Sequence, residues 1–165
     1  TEQKNVAEQI PSNQPQAEFR GEDFDSGGYE AEVSGEILND WNITAGYSYL
    51  DIEDDNKGNA LRTYIPEETF TVATTYRPVG LKKLKVGMTV NWQSRVTNTS
   101  GGNETKQESY ALVNLMAGYD FTDHFNAKLR VNNVTDEKYL SSLRYFGQSY
   151  YGPPTNANLS LNYTF

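Results

Sequence analysis

Residues 144–154, Arg-Tyr-Phe-Gly-Gln-Ser-Tyr-Tyr-Gly-Pro-Pro, bring together side chains that could bind a ligand. Aromatic rings stack on flat ligands, an arginine adds cation–π contacts, and tyrosine hydroxyls donate hydrogen bonds. Such a set suits a large amphipathic ligand such as a metal chelate. The alternative is that these rings pack the segment against the rest of the fold. The candidate binding residues are Arg144, Tyr145, Phe146, Tyr150 and Tyr151, with Arg62 and Tyr64 as weaker candidates of the same kind.

Residues for catalysis or metal binding are scarce. The chain has no cysteine and a single histidine, His124, which argues against thiolate sites, disulfides and histidine-rich zinc sites. Residues 51–58 look like a calcium loop, but Gly is absent from the sixth position and Glu from the twelfth, which favours a solvated acidic loop. We therefore expect no enzyme activity, no bound metal and no covalent cofactor. The formal charge of −8 argues against nucleic acid as a partner.

The elements that would position these residues are β-strands, because apolar and polar residues alternate along most of the chain. No run reaches the ~18 apolar residues of a membrane-spanning helix, and the mean hydropathy is −0.72. A membrane-spanning barrel would also give such a value, since its apolar face is hidden in the alternation. The alternation predicts an all-β chain with strands at 29–38, 42–52, 67–77, 84–96, 109–121, 125–134 and 158–165, and part of a further strand at 1–9.

Strand and loop lengths favour a membrane barrel over a soluble sheet. Several predicted strands exceed the ~5–6 residues usual in soluble sheets and match the ~9–11 residues that cross a bilayer at a tilt. Short connections at 39–41, 78–83 and 122–124 alternate with long polar ones at 10–28, 53–66, 97–108 and 135–157. Outer-membrane barrels sort their connections in this way, with short periplasmic turns and long extracellular loops.

Aromatic residues on the apolar faces form two predicted bands, as expected at the two membrane interfaces. The opposite faces are rich in Asn, Thr, Ser and charged residues, which suits a polar lumen. A soluble β-sandwich with aromatic residues in its core is the alternative. The band near the short turns contains Tyr76, Tyr119, Phe121, Phe125, Tyr163 and Phe165, with Trp41 in a short turn; the band near the long loops contains Tyr29, Tyr47, Tyr49, Phe70 and Trp92.

Several motifs together resemble the final strands of TonB-dependent ferric-siderophore receptors, nearest to the hydroxamate and pyoverdine branch. They are NWQSRV (91–96), YALVNLMAGYDF (110–121), VNN-x-x-D-x-x-Y (131–139), YG-x-P-x-N (151–156) and a terminal Phe. The resemblance implies an antiparallel up-and-down barrel of 22 strands, closed by an N-terminal plug domain. This chain would supply about the last eight strands, the first of them incomplete.

The resemblance also implies partners and a location. It implies a bacterial outer-membrane protein, surrounded by lipid, that imports a ferric siderophore with energy from TonB. TonB and the plug would act through an N-terminal part that this chain lacks, so we expect the chain to be the C-terminal part of a longer protein. Phe165 resembles the terminal signal read by the outer-membrane assembly machinery. The lumen-facing Lys85, Arg95, Lys128 and Arg130 would face the plug or water.

Two alternative functions stay open from the sequence. One is a passive porin-like or small non-transporting barrel, and the other is a soluble β-sandwich that binds a ligand. The assignment of faces is itself a prediction: Leu115, on the apolar face, should not tolerate arginine, whereas Asn114, on the polar face, should.

Overall fold

A computed structural model of the chain describes residues 2–10, 18–54, 63–100, 103–143 and 149–165. All the regular structure in these residues is β-strand. No helix in this part of the chain is long and apolar enough to cross a membrane. The strands are β1 (Glu2–Ile10), β2 (Glu18–Leu38), β3 (Trp41–Asp54), β4 (Glu68–Tyr76), β5 (Leu84–Gln93), β6 (Val96–Ser100), β7 (Asn103–Gln107), β8 (Tyr110–Asp120), β9 (Phe125–Asn132), β10 (Leu140–Leu143), β11 (Ser149–Tyr151) and β12 (Asn156–Tyr163).

Eight of these strands form one antiparallel sheet in the order β1-β2-β3-β4-β5-β8-β9-β12. Each strand of this sheet therefore pairs with the one that follows it in the sheet along the chain, which is the up-and-down arrangement that the resemblance implies. The hairpins β6–β7 and β10–β11 are inserted into two of the long connections. We call the end with connections 39–40, 77–83 and 121–124 the turn end, and the opposite end the loop end.

The strand register keeps the two faces of the sheet apart. Directly opposed residues in neighbouring strands point to the same face. Val72 pairs with Val90, which pairs with Val113, and Leu129 pairs with both Ala117 and Leu159. Every pairing of this kind joins predicted apolar-face residues to each other. A slip of one residue in any strand would turn its apolar side chains to the other face, so the pattern fixes the register.

The polar face is held by hydrogen bonds between side chains of neighbouring strands. Ser48 and Thr69 join β3 to β4 through hydroxyls 2.8 Å apart. The amide of Asn162 donates to Asn126 at 3.0 Å between β12 and β9. Since these side chains form hydrogen bonds between neighbouring strands, the polar face is a hydrogen-bonded surface and not an apolar core.

A conventional hydrophobic core is nearly absent from the described residues. The buried apolar side chains there are Phe24, Val96 and Leu143, whereas Leu159, Leu161 and Tyr163 on β12 are more than 60% exposed. Exposed leucines along one continuous face would be costly in water, but they lower the free energy of a sheet that faces lipid.

Four predicted boundaries differ from the structure. The connection predicted at 10–28 is short, because β2 starts at Glu18 and is 21 residues long. The connections predicted at 97–108 and 135–157 contain the hairpins β6–β7 and β10–β11. These segments need no apolar face above a membrane, so their strands carry no alternation signal. Trp41, predicted in a short turn, is the first residue of β3.

Candidate functional site

The loop end of the sheet carries the candidate ligand-binding residues that the structure describes, and hydrogen bonds join its connections to one another. The Thr63 hydroxyl donates to the carbonyl of Thr97 at 2.8 Å, and the Thr63 carbonyl accepts from the Thr97 N–H at 2.9 Å. The Leu140 N–H donates to the Gln107 side chain at 2.7 Å. The 63–66 segment is thus bonded to β6, and β7 to β10, so that three connections form one joined layer.

Only part of the predicted ligand set lies within the described residues. Tyr64 lies in the turn beside Thr63 and is half-buried. Tyr150 and Tyr151 lie on β11, which pairs with β10, and they are 55% and 79% exposed. Two tyrosines on a paired strand, exposed at the loop end, are placed to contact a ligand from outside. The other four candidates, Arg62, Arg144, Tyr145 and Phe146, lie outside the described residues.

A second aromatic pair, which the sequence interpretation missed, lies below this layer. The rings of Tyr110 and Tyr139 are 4.7 Å apart, and the Tyr110 hydroxyl donates to Gln93 at 3.1 Å. Gly152 lies directly against Tyr139 and donates its N–H to the Tyr139 carbonyl at 2.8 Å. The motif spacing places Tyr139 and Gly152 in the same connection, but nothing in the sequence indicates that they touch.

Gly152→Ala tests this contact, since a Cβ at this position would clash with the ring of Tyr139. The Tyr139 ring must shift, which disturbs its packing with Tyr110, and we expect a loss of about 1–3 kcal/mol of stability, as for other overpacked sites. Thermal unfolding of the detergent-purified protein measures the loss. Gly27→Ala is the matched control, because a Cβ there meets nothing within 4 Å. Equal unfolding temperatures for the two variants would contradict the proposed role of Gly152.

The motif VNN-x-x-D-x-x-Y folds into a clasp at the loop end of β9 and β12, centred on Asn133. The Asn133 side chain is 4% exposed, and the residue has a φ of 49°. Its amide donates to the carbonyls of Glu137 and Pro153 at 2.9 and 3.2 Å, and its Oδ1 accepts from the Glu137 N–H at 2.9 Å. Its own N–H donates to Oδ1 of Asn114 at 3.0 Å. One buried side chain therefore joins the chain leaving β9 to the chain entering β12.

Asp136 and Thr155 complete the clasp. The Asp136 carboxylate accepts from the Thr155 N–H at 3.0 Å, and the Thr155 hydroxyl lies 2.6 Å from the Asn133 carbonyl. The backbone N–H of Thr155 and then its hydroxyl lower the pKa of Asp136, since both stabilise the charged carboxylate. The residues of the two last motifs that form the clasp are thus structural, because they close the connection between β9 and β12.

The two predicted aromatic bands occur as two groups of touching rings. At the turn end, Trp41 lies 5.8 Å from Tyr76, and the Phe121 ring lies 4.9 Å from Tyr119 and 5.2 Å from Phe125. The rings of Tyr163 and Phe165 are 5.2 Å apart at the same end.

At the loop end, the Tyr29 ring lies 5.9 Å from Tyr47 and 5.4 Å from Tyr49. The register places Phe70 beside both Tyr47 and Trp92. The Tyr47 hydroxyl donates to Glu68 at 2.8 Å, so the polar tip of this ring is satisfied. Trp41 and Tyr49 are eight residues apart on β3, or about 26 Å along the strand. At the tilt of about 40° found in outer-membrane barrels this length rises about 20 Å, most of the ~25 Å height of their apolar band.

Metal binding finds no support in this part of the chain. Within the described ranges, no group of three or more His, Asp or Glu residues could hold a metal ion. The acidic stretch 51–58 lies partly outside those ranges.

Comparison with known proteins then assigns the chain to a family. Residues 1–134 match the family model described as TonB dependent receptor-like, beta-barrel. The chain belongs to the TonB-dependent receptors. Members of this family are β-barrels of the outer membrane, so the predicted fold class and location are confirmed. The resemblance stated from the motifs is confirmed as well.

Several TonB-dependent receptors that are similar to the chain are named for ferric pyoverdine. The ferric-pyoverdine BN7/BN8 receptor of Pseudomonas putida is 38% identical over 165 residues, which cover 99% of this chain and 19% of that receptor. The ferripyoverdine receptor of Pseudomonas aeruginosa is 36% identical over 89% of this chain. The solved structure of the pyoverdine outer membrane receptor FpvA from P. aeruginosa bound to pyoverdine has a TM-score of 0.86 and 31% identity, and the match covers 99% of this chain and 26% of that one. This chain spans about a fifth of the length of these curated relatives.

Proposed function

We propose that this chain is the C-terminal part of the barrel of an outer-membrane receptor that imports a ferric siderophore of the pyoverdine or hydroxamate type. The observation that carries the proposal is the match along the whole chain to receptors named for ferric pyoverdine. In the complete protein, the remaining strands would close a barrel of 22 strands around an N-terminal plug. TonB would act on that plug, and the protein would work as a receptor and transporter without catalysis.

The joined layer of loop-end connections would meet the siderophore. Tyr64, Tyr150 and Tyr151 would contribute rings and hydroxyls; Arg62, Arg144, Tyr145 and Phe146, which lie outside the described residues, stay candidates for the same role. The pair Tyr110 and Tyr139 lies deeper, and Tyr110 shares the polar face with Gln93, which would point toward the lumen. The two aromatic bands, which include Trp41 and Phe165, would sit at the two membrane interfaces, with the turn end in the periplasm.

Uptake of ⁵⁵Fe from a panel of ferripyoverdines and ferrioxamine B tests the proposed function. Cells that express the complete protein should accumulate ⁵⁵Fe from at least one of these siderophores, and deletion of TonB should abolish the accumulation. Accumulation that persists without TonB would indicate a passive barrel, which is the main alternative. A complete protein without affinity for any ferric siderophore would contradict the proposal itself.

Replacement of both Tyr150 and Tyr151 by Ala tests the proposed contacts. Each exposed ring contributes about 0.5–1.5 kcal/mol of stacking, so we expect affinity for the transported siderophore to fall roughly tenfold. Titration of the purified protein by fluorescence quenching measures the affinity. The double replacement by Phe is the matched control, because it keeps both rings and removes only the hydroxyls. Unchanged affinity in the Ala variant would remove β11 from the ligand site.

A further inference from the structure

The apolar face carries a groove at the turn end that the proposed transport function does not use. It has a volume of about 980 Å³, which is in the range of ligand pockets. Apolar side chains from five neighbouring strands, β2 to β5 and β8, and from the turn after β4 line it. They include Ile37, Leu38, Trp41, Tyr76, Val79 and Val86. Glu36 and Asn39 line this groove as well, and the Glu36 carboxylate accepts from the Asp40 N–H at 2.7 Å. A groove on the lipid-facing side of a barrel is filled by lipid molecules of the membrane.

The polar groups of Trp41 and Thr74 in the groove are satisfied within the protein. The indole N–H of Trp41 donates to the Thr74 hydroxyl at 2.8 Å. That hydroxyl donates in turn to the carbonyl of Asn42 at 2.9 Å. Because Thr74 is much smaller than Trp41 and Met88, which also line the groove, it leaves a depression in which neither Trp41 nor Thr74 offers a free donor. Such a surface suits a hydrocarbon chain.

Cationic side chains lie in the turn that borders the groove, in a chain that is otherwise acidic. Residues 69–103 contain no Asp or Glu, although the net charge of the chain is −8. Arg77 follows the groove residue Tyr76, and Lys82 and Lys83 follow the groove residue Val79 in the same turn.

The side chains of this turn leave positive charge available. Arg77 donates to the Lys82 carbonyl at 3.1 Å and lies 3.9 Å from the exposed carboxylate of Asp120. Lys83 donates one of its three ammonium hydrogens to the carbonyl of Phe121 at 3.1 Å. Lys82 is exposed, and its ammonium has no hydrogen bond or ion pair with any residue that the structure describes. The turn thus presents two lysines beside Val79, which is 91% exposed.

We propose that the groove and this turn bind one anionic glycerophospholipid of the inner leaflet. An acyl chain lies in the groove, and the headgroup phosphate is held by Lys82 and Lys83. A hydrocarbon surface beside cationic side chains matches the acyl chain and charged headgroup of such a lipid. No other component of that leaflet matches it equally well. The choice of leaflet rests on the proposed function, since it requires the turn end to face the periplasm.

Native mass spectrometry of the complete protein, extracted from outer membranes in mild detergent, measures the lipid that is retained. We expect the wild type to retain phosphatidylglycerol or cardiolipin in preference to phosphatidylethanolamine. Near an anionic headgroup each cation contributes about fivefold in affinity, so K82E/K83E should reduce retained anionic lipid at least fivefold. V79N keeps the charges and removes an apolar contact, and it should reduce retention of both lipid classes.

The matched control is K106E/K138E, which makes the same charge change at the loop end on two exposed residues. It should leave lipid retention unchanged. Equal retention by the wild type and K82E/K83E, or equal loss in the control, would overturn the proposal. Retained lipopolysaccharide in place of glycerophospholipid would overturn the leaflet assignment. Lipid retention is measured without siderophore, so failure of iron uptake alone would contradict the transport function and leave the lipid site standing.

Discussion

Leu115→Arg is expected to destabilise the inserted barrel by about 2–4 kcal/mol, because the new charge would face the hydrocarbon near the bilayer midplane. Leu115 is 45% exposed on β8, opposite Met88 on β5 and Val131 on β9, and the aromatic bands lie toward both ends of these strands. A guanidinium there has no partner within the apolar face. The fraction of heat-modifiable folded protein on cold gels, followed through a urea titration, measures the effect.

Asn91→Arg is the matched control, since Asn91 lies on the polar face of β5 and is exposed. Among the described residues, its one side-chain hydrogen bond is a long one, accepted from the Thr71 hydroxyl at 3.3 Å. Asn114, which the sequence suggests for this purpose, is a poor choice. Its Oδ1 accepts from Asn133, and its amide donates to Thr89 at 3.0 Å, so arginine there would break two contacts. Equal losses for Leu115→Arg and Asn91→Arg would refute the assignment of faces.

Asn133→Ala should cost about 3 kcal/mol of stability. The replacement removes the hydrogen bonds that the buried Asn133 side chain makes to the Glu137 N–H and to the carbonyls of Glu137 and Pro153, and each contributes about 0.5–1.5 kcal/mol. It also places an alanine at a φ of 49°, which L-residues other than Asn, Asp and His rarely adopt. Protease digestion of the folded protein should show faster cleavage in the connection between β9 and β12.

Two further variants separate these causes. Asn133→Gly tolerates the positive φ and removes the side chain. If the hydrogen bonds dominate, it should therefore lose nearly as much stability as Asn133→Ala. Asn162→Ala removes one exposed hydrogen bond to Asn126 and should cost less than about 1 kcal/mol. A stability of Asn133→Gly equal to that of the wild type would show that the clasp contributes nothing beyond its backbone conformation.

The fold within the membrane could be predicted because lipid imposes a strict pattern. Val72, Val90 and Val113 alternate with polar residues in their own strands, and the register that pairs them follows from this alternation. Outside the membrane the constraint disappears. The first half of β2, from Glu18 onward, has no apolar face, so no alternation marks it as a strand in the sequence. The hairpins β6–β7 and β10–β11 are equally polar.

The candidate site was harder to predict, because its contacts join residues far apart in sequence. Tyr110 and Tyr139 stack although 29 positions separate them, and Thr63 bonds to Thr97 through two hydrogen bonds. No periodic pattern reports such contacts. Tyr150 and Tyr151 could be chosen by residue type alone, and their placement at the exposed loop end is consistent with that choice.

The up-and-down strand order has a consequence for how the sheet assembles. Loop-closure entropy rises with the length of chain between two contacts, so pairing of sequence neighbours keeps the folding barrier low. The connections 94–109 and 133–155 are the longest within the described sheet, but each contains its own hairpin. Formation of β6–β7 and β10–β11 brings the ends of these connections together before the long strands pair. We therefore expect these hairpins to accelerate the pairing of β5 with β8 and of β9 with β12, in addition to their place at the binding surface.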